Sequence, residues 1–180
     1  GNSSETIWFD TWISGYHFVF LGGEAAGLHA DLSNAQLAWL EETLAKDRVE
    51  GRPTFLFLHQ GLMDTVAGTF QYQNWHGVKQ SAQLRRILRQ YPEVVLFSGH
   101  SHWTMESAHT VKPADGSRPS VVSTASCAYL WDDSCIATNV GIVGSEGYYI
   151  YLYENCLIVR GRSFDRGEWI GSAQFILPLP

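Results

Sequence analysis

The chain has 180 residues, of which 45% are hydrophobic and 13% aromatic, and a formal net charge of −6. That length and apolar share suffice for one domain with a sizeable core and exclude a disordered chain. The acidic balance, with no basic patch, argues against nucleic acid as a partner; no apolar run is long enough to cross a bilayer, and the first residues lack a leader-like pattern.

Residues 1–15 open on Gly1-Asn2-Ser3-Ser4, and Ile7-Trp8-Phe9-Asp10 predicts an edge strand. Tyr16-His17-Phe18-Val19-Phe20-Leu21 is a strand closed by Gly22-Gly23, with His17 packed or solvated within it. A loop over 24–32 leaves His29 exposed. Ser33 then caps a helix: its hydroxyl can accept from the Gln36 N–H while Gln36 reaches back. Leu37, Leu40 and Leu44 recur on the face toward the sheet, and Glu41, Glu42 and Lys46 face water. A turn over 47–52 leads into Pro53-Thr54-Phe55-Leu56-Phe57-Leu58, a short apolar strand that ends at His59.

A long connection follows, from Gln60 past Met63 and Asp64 to Asn74, Trp75, His76 and Gly77. Loops this long inside a compact domain are more often functional than incidental, and Tyr72, Gln73, Trp75 and His76 could line a substrate pocket. The plainer reading is a surface loop anchored by one tryptophan. A second helix over 79–90 has Leu84, Ile87, Leu88 and Tyr91 as its apolar stripe. Arg85, Arg86 and Arg89 read as a solvated face compatible with the helix dipole. Val94-Val95-Leu96-Phe97-Ser98 is a buried strand, and it stops at Gly99-His100-Ser101-His102. Beyond it, short strands over 103–111, 120–124, 148–153, 156–162 and 173–177 alternate with turns at Ala114-Asp115-Gly116-Ser117 and Glu154-Asn155, a β-meander without helix. Cys127, Cys135 and Cys156 form no C-x-x-C pair, which excludes a zinc ribbon. Buried free thiols are the default, with a Cys127–Cys135 bridge open to an exported protein.

Two strands with a helix between them, each ending in histidine, predict parallel neighbours whose tips converge. Sheet strands that deliver imidazoles at their carboxyl ends are how open α/β folds build sites, and imidazole is a common ligand of divalent zinc, iron and manganese. The plainer alternative is loop or core histidines satisfied by backbone carbonyls.

His59 in Phe-Leu-His-Gln, with Gly99-His100-Ser101-His102 about forty residues on, resembles the last two signature blocks of the calcineurin-like metallophosphoesterases. Leu32-Ser33-Asn34-Ala35-Gln36-Leu37-Ala38-Trp39-Leu40 is similar to the helix before the single-histidine strand in members such as purple-acid-phosphatase-like and cyclic-nucleotide-phosphodiesterase-like enzymes. The resemblance implies an α/β fold, the C-terminal part of a calcineurin-like αββα sandwich, with two helices on a mixed sheet followed by a β-meander. It implies hydrolysis of phosphate mono- or diesters by a hydroxide held between two divalent metal ions (Mn, Fe or Zn). His59 and His100 resemble ligands of one ion and His102 a ligand of the other, while Trp75 and His76 are the candidates for substrate contact.

The departures matter equally. The family's earlier blocks, Asp-x-His, Gly-Asp and Gly-Asn-His, supply carboxylates and further ligands. No Asp-x-His or Gly-Asp occurs here, Gly1-Asn2 is followed by Ser3, and Gly61 stands where proline is common. Three imidazoles without a bridging carboxylate hold a cation pair poorly, since no anion offsets the repulsion. Residues 1–180 therefore read as one domain lacking its N-terminal strands, with partial or no metal occupancy and little activity alone. Its partners would be a phosphoester substrate and either a second copy or the missing N-terminal half. Two competing readings are a non-catalytic scaffold or interaction domain that keeps the fold, and a simple three-histidine zinc module.

Overall fold

The computed structural model describes residues 6–179 except 47, 50, 74 and 75. The chain starts with a hairpin of β1 (Phe9–Ile13) and β2 (Tyr16–Phe20), closed by Ser14 and Gly15, both at positive φ (52° and 79°). Two central residues in that region match the right-handed twist of the flanking strands. Helix α1 (Asn34–Lys46), β3 (Thr54–Phe57), α2 (Ser81–Leu88) and β4 (Val94–Ser98) follow. β2, β3 and β4 pair in parallel, as two helical crossovers demand.

One face of this sheet presents Val19, Leu56, Leu58 and Leu96 to Leu37, Leu40 and Leu44 of α1 and to Leu84, Ile87 and Leu88 of α2. Both helical stripes are buried as their spacing predicts, and every residue of β4 is buried, as expected of a strand covered on both faces.

The helix cap differs from expectation in one half. Ser33 Oγ accepts from the Gln36 N–H at 3.2 Å, but the Gln36 side chain does not return to Ser33. It is fully buried and grips Gly22, accepting from its N–H at 3.0 Å and donating to its carbonyl at 2.9 Å. Gly22 lies just past the end of β2, where the ladder no longer supplies partners, and a side-chain amide, with a donor and an acceptor on separate atoms, answers both groups. The Ser33 N–H goes instead to the Glu24 carboxylate.

Beyond His102 the expected meander is only part of the structure. Residues 103–110 do not extend as a strand; β5 (Val111–Lys112) and β6 (Ser120–Ser123) re-enter the first sheet, giving the order β1-β2-β3-β4-β6-β5 with β6 parallel to β4. A short helix, α3 (Asp133–Thr138), was not foreseen; Asp132 caps it by accepting from the Ser134 and Cys135 N–H groups. The meander proper is β7 (Glu146–Leu152), β8 (Cys156–Ser163) and β9 (Glu168–Pro178), a separate antiparallel sheet. The three cysteines are free, with Cys135 buried and Cys127 exposed. No helix among the described residues is long and apolar enough to cross a membrane.

The second sheet covers only part of the first. Leu157, Val159 and Leu177 pack on Val95, Phe97 and Val122. Toward β1 the same face carries Tyr16, Phe18 and Phe57, only partly buried, with Phe9 and Ile13 each 54% exposed. A cavity of about 650 Å³ lies between these aromatics and Tyr148, Ile150 and Leu152 of β7, the edge strand of its sheet.

Replacing Gln36 with leucine leaves both backbone groups of Gly22 without a partner, at a cost of about 2–4 kcal/mol. Urea unfolding of Gln36→Leu is the check, with a lowered midpoint at unchanged slope as the expected result.

Candidate functional site

The carboxyl ends of β3 and β4 stay paired beyond the strands themselves. Phe57 is opposite Phe97, the Leu58 N–H donates to Phe97 O at 3.1 Å, and the Gly99 N–H donates to His59 O at 3.0 Å. β6 holds the other flank, with the Thr124 N–H donating to Ser98 O at 2.7 Å. The main chain then turns sharply: the Ser101 N–H donates to Gly99 O at 2.7 Å, and His100 and His102 both take positive φ, 65° and 56°. Histidine tolerates this left-handed region better than most residues, yet each such position costs about 1–3 kcal/mol and persists only where its surroundings dictate it.

The dictating surroundings are the loop after His59. Gly68, at φ 78°, lies so close to the turn that a Cβ there would overlap Ser101 and come within 2.9 Å of the Trp103 ring. Gly61 similarly sits against Thr69 and Ser98, which explains a glycine at that place. Gln73 is buried and ties the loop to itself and to α3, accepting from the Gly68 N–H at 2.7 Å and donating to Asp133 at 2.9 Å. Tyr72 is exposed and stacks on Phe70. Trp75 lies outside the described residues.

His59 Nε2 and His100 Nδ1 approach to 3.3 Å, with ring centroids 5.1 Å apart and planes at 75°. Two imidazole nitrogens ligating one tetrahedral ion at about 2.0–2.1 Å would stand about 3.3 Å from each other, so this pair matches two ligand positions of one cation. Burial, then the neighbouring His59, His76, His102 and His29, pushes the His100 pKa down to about 4, so its ring is neutral near pH 7. Metal ligation needs that form.

His102 is set differently. Its ring lies against Tyr129, centroids 4.4 Å apart, and hydrogen-bonds the Tyr129 main chain, while its Nδ1 is buried without a hydrogen-bond partner among the described residues. Burial lowers its pKa, the Tyr129 bond raises it, and the charge of His59 lowers it again, for a net decrease. His76 meets His29 edge to face at 4.3 Å, and the His29 ring reaches Gly77 O at 3.3 Å. Sequence spacing gave no sign of His29 or Tyr129. His29 is brought in because residue 30 bridges residue 78, an encounter across 48 positions that Lys79 and Gln80 fasten through Asp31.

A cavity of about 320 Å³ opens beside the pair, bounded by Phe20, Phe57, His59, Phe97, Gly99 and Thr124. Rings from four strands, Phe9, Phe20, Phe57 and Phe97, stack in a row beneath it at 4.7, 4.9 and 5.3 Å. No group of three or more His, Cys, Asp or Glu side chains able to hold a metal ion gathers among the described residues. The donor set therefore does not fit a two-metal centre complete within the described residues: His59 and His100 pair, but neither His102 nor a carboxylate joins them as a third ligand.

No family model matches the sequence, and no curated protein sequence matches it. The fold is similar to that of the purple acid phosphatase PPD1 isolated from yellow lupin (Lupinus luteus) seeds, with a TM-score of 0.58 at 17% identity. The match covers 95% of this chain and 32% of that one, so the chain spans about a third of the length of the phosphatase it resembles.

Two outcomes are expected. Gly68→Ala forces a left-handed alanine into the Ser101 turn, costs about 2–4 kcal/mol in urea unfolding and displaces the histidine turn, seen as shifted His100 and His102 ring resonances by NMR. The depressed His100 pKa means that protonation favours the unfolded chain. Its contribution to stability is whole above about pH 6.5 and is lost as pH falls toward 4. The metal-free chain should lose stability over that window, and His100→Asn, which keeps a left-handed backbone without the titrating ring, should flatten the slope.

Proposed function

We propose that this chain is the histidine-bearing part of a metal-dependent phosphoesterase. In this reading His59 and His100 ligate one divalent ion, His102 ligates a second, and the carboxylates come from polypeptide outside these 180 residues. The observation that carries it is the 3.3 Å approach of His59 Nε2 and His100 Nδ1 at adjacent parallel strand tips, on a fold similar to that of a purple acid phosphatase. What the chain itself contributes is pre-organisation: two imidazoles, that of His100 neutral near pH 7, held at ligand spacing by backbone pairing rather than by flexible side chains. His76, with Trp75 beside it in sequence, is assigned to the substrate side, where an imidazole N–H can donate to a phosphoryl oxygen.

A second reading has a specific observation in its favour. Among the described residues no carboxylate joins the imidazoles, so the same fold can serve as a non-catalytic scaffold. Both readings assign a cover to the aromatic face left open toward β1, either a second copy or the remaining segment of the protein.

The chain alone, incubated with Mn²⁺, Zn²⁺ or Fe²⁺, should not hydrolyse p-nitrophenyl phosphate or bis(p-nitrophenyl) phosphate above the buffer rate. The whole gene product should bind two metal equivalents by elemental analysis and turn over, and His59→Ala or His100→Ala should lower that turnover at least a hundredfold. Full turnover by these 180 residues unaided refutes the dependence on outside carboxylates, and a metal-free, inactive whole product leaves the scaffold. The open apolar face should also make the isolated chain bind the dye ANS and elute above monomer size; a dye-negative monomer overturns the assigned cover.

A further inference from the structure

Arg85 and Arg89 sit on and just after the last turn of α2, where a cation offsets the helix dipole. That accounts for basic residues on the helix but not for what meets them. Lys112 on β5 and Arg118 in the turn before β6 enter from the sheet edge, and the four side chains line one crevice with Leu62 and Thr65. A third of the chain's 12 Lys and Arg thus share one crevice in a protein of net charge −6. No run of the sequence displays it, because the contributions come from three separate segments.

Compensation is slight. Arg118 pairs with Asp115 three residues away, whereas Arg85, Arg89 and Lys112 make no ion pair among the described residues. Arg85 is half-buried; burial lowers its pKa, Asp64 raises it, and the charges of Arg89 and Arg118 lower it again. Gathering like charges over an apolar floor is unfavourable unless an anion joins them.

We infer that Arg85, Arg89, Lys112 and Arg118 bind a single phosphoryl group, at a site separate from the histidine cluster. Guanidinium groups present paired N–H donors in a plane that matches two oxygens of a tetrahedral phosphate, and the lysine adds a point charge. The enclosed space is about 30 Å³, near one water's share of the liquid, so an oxyanion would sit at the mouth of the crevice, where Arg89 and Arg118 are exposed. It shares no lining residue with the cavity beside His59, so the inference stands independently of the hydrolase reading. The ligand is inorganic phosphate or the terminal phosphate of a larger molecule.

Inorganic phosphate titrated into the chain at constant ionic strength, followed by ³¹P line width and thermal shift, tests the site. Saturable binding is expected. Arg85→Gln/Arg89→Gln should raise the Kd at least tenfold and Lys112→Gln severalfold, while Arg86→Gln, on the same helix but outside the crevice, should leave it unchanged. His59→Ala/His100→Ala should bind phosphate like the parent, which separates this site from the strand tips. Phenyl phosphate distinguishes the sources: affinity equal to that of inorganic phosphate indicates a terminal phosphoryl group, and its exclusion indicates the free ion. Circular dichroism confirms that each variant is folded. Absence of saturable binding, binding indifferent to Arg85→Gln/Arg89→Gln, or binding lost with the histidines overturns the proposal.

Discussion

The in-register parallel pairing of β3 with β4 is the constraint on which the candidate site depends. Thr54 opposes Val94 and Phe57 opposes Phe97, and the ladder continues through Leu58 and Gly99 past the formal strand ends. A slip of one residue would send Leu56, Leu58 and Leu96 out of the helical core and bring Phe55, Phe57 and Phe97 into it. Register is thus fixed by burial on two faces, and the 3.3 Å approach of His59 to His100 follows from it. The side chains that would meet a ligand are placed by main-chain hydrogen bonds and aromatic packing several residues away.

Holding two histidines in the left-handed region has a cost, and the structure shows what offsets it. The 61–73 loop folds back on the β4 tip with its own hydrogen bonds satisfied: the Thr65 and Val66 N–H groups donate to Thr69 Oγ1, and the Gly68 N–H donates to Gln73. A buried loop with satisfied polar groups is rigid, so Gly68 can press on Ser101 without yielding. On the far side Trp131 donates its N–H to His102 O at 2.8 Å and accepts from the Thr104 N–H at 2.8 Å, bracketing the turn from the other end. Strain at the histidines is thereby tied to the packing of two long connections.

The rest of the molecule looks unequally finished. Between the first sheet and α1 and α2 the core is closed, with only Trp8 and Trp39 partly buried at its margin, whereas the opposite face is closed only where the three-stranded sheet lies. Six strands against three leave the β1 side without a second layer, and the aromatic row from Phe9 to Phe97 runs from solvent into the core across that boundary. Among the described residues the sheet lacks a second layer toward β1, and no carboxylate joins the His59–His100 pair. Both are supplied by one additional segment in the hydrolase reading.

Local patterning in the sequence determined the α1 and α2 stripes, the apolar strands ending at His59 and Gly99-His100-Ser101-His102, and the closing meander. Each rests on periodicity or on turn chemistry within a few residues. The return of β5 and β6 to the first sheet was not legible, since a four-residue strand such as Ser-Val-Val-Ser carries no mark of which sheet it joins; nor was α3, whose six residues depend on the Asp132 cap rather than on an apolar stripe. The second partner of Gln36, the approach of His29 to His76, the seat of the His102 ring on Tyr129 and the meeting of Lys112 and Arg118 with Arg85 and Arg89 were decided only by tertiary structure. Sequence spacing encodes neighbours along one element; which elements lie side by side is settled by the burial of whole faces, and contacts between distant residues come only with that arrangement.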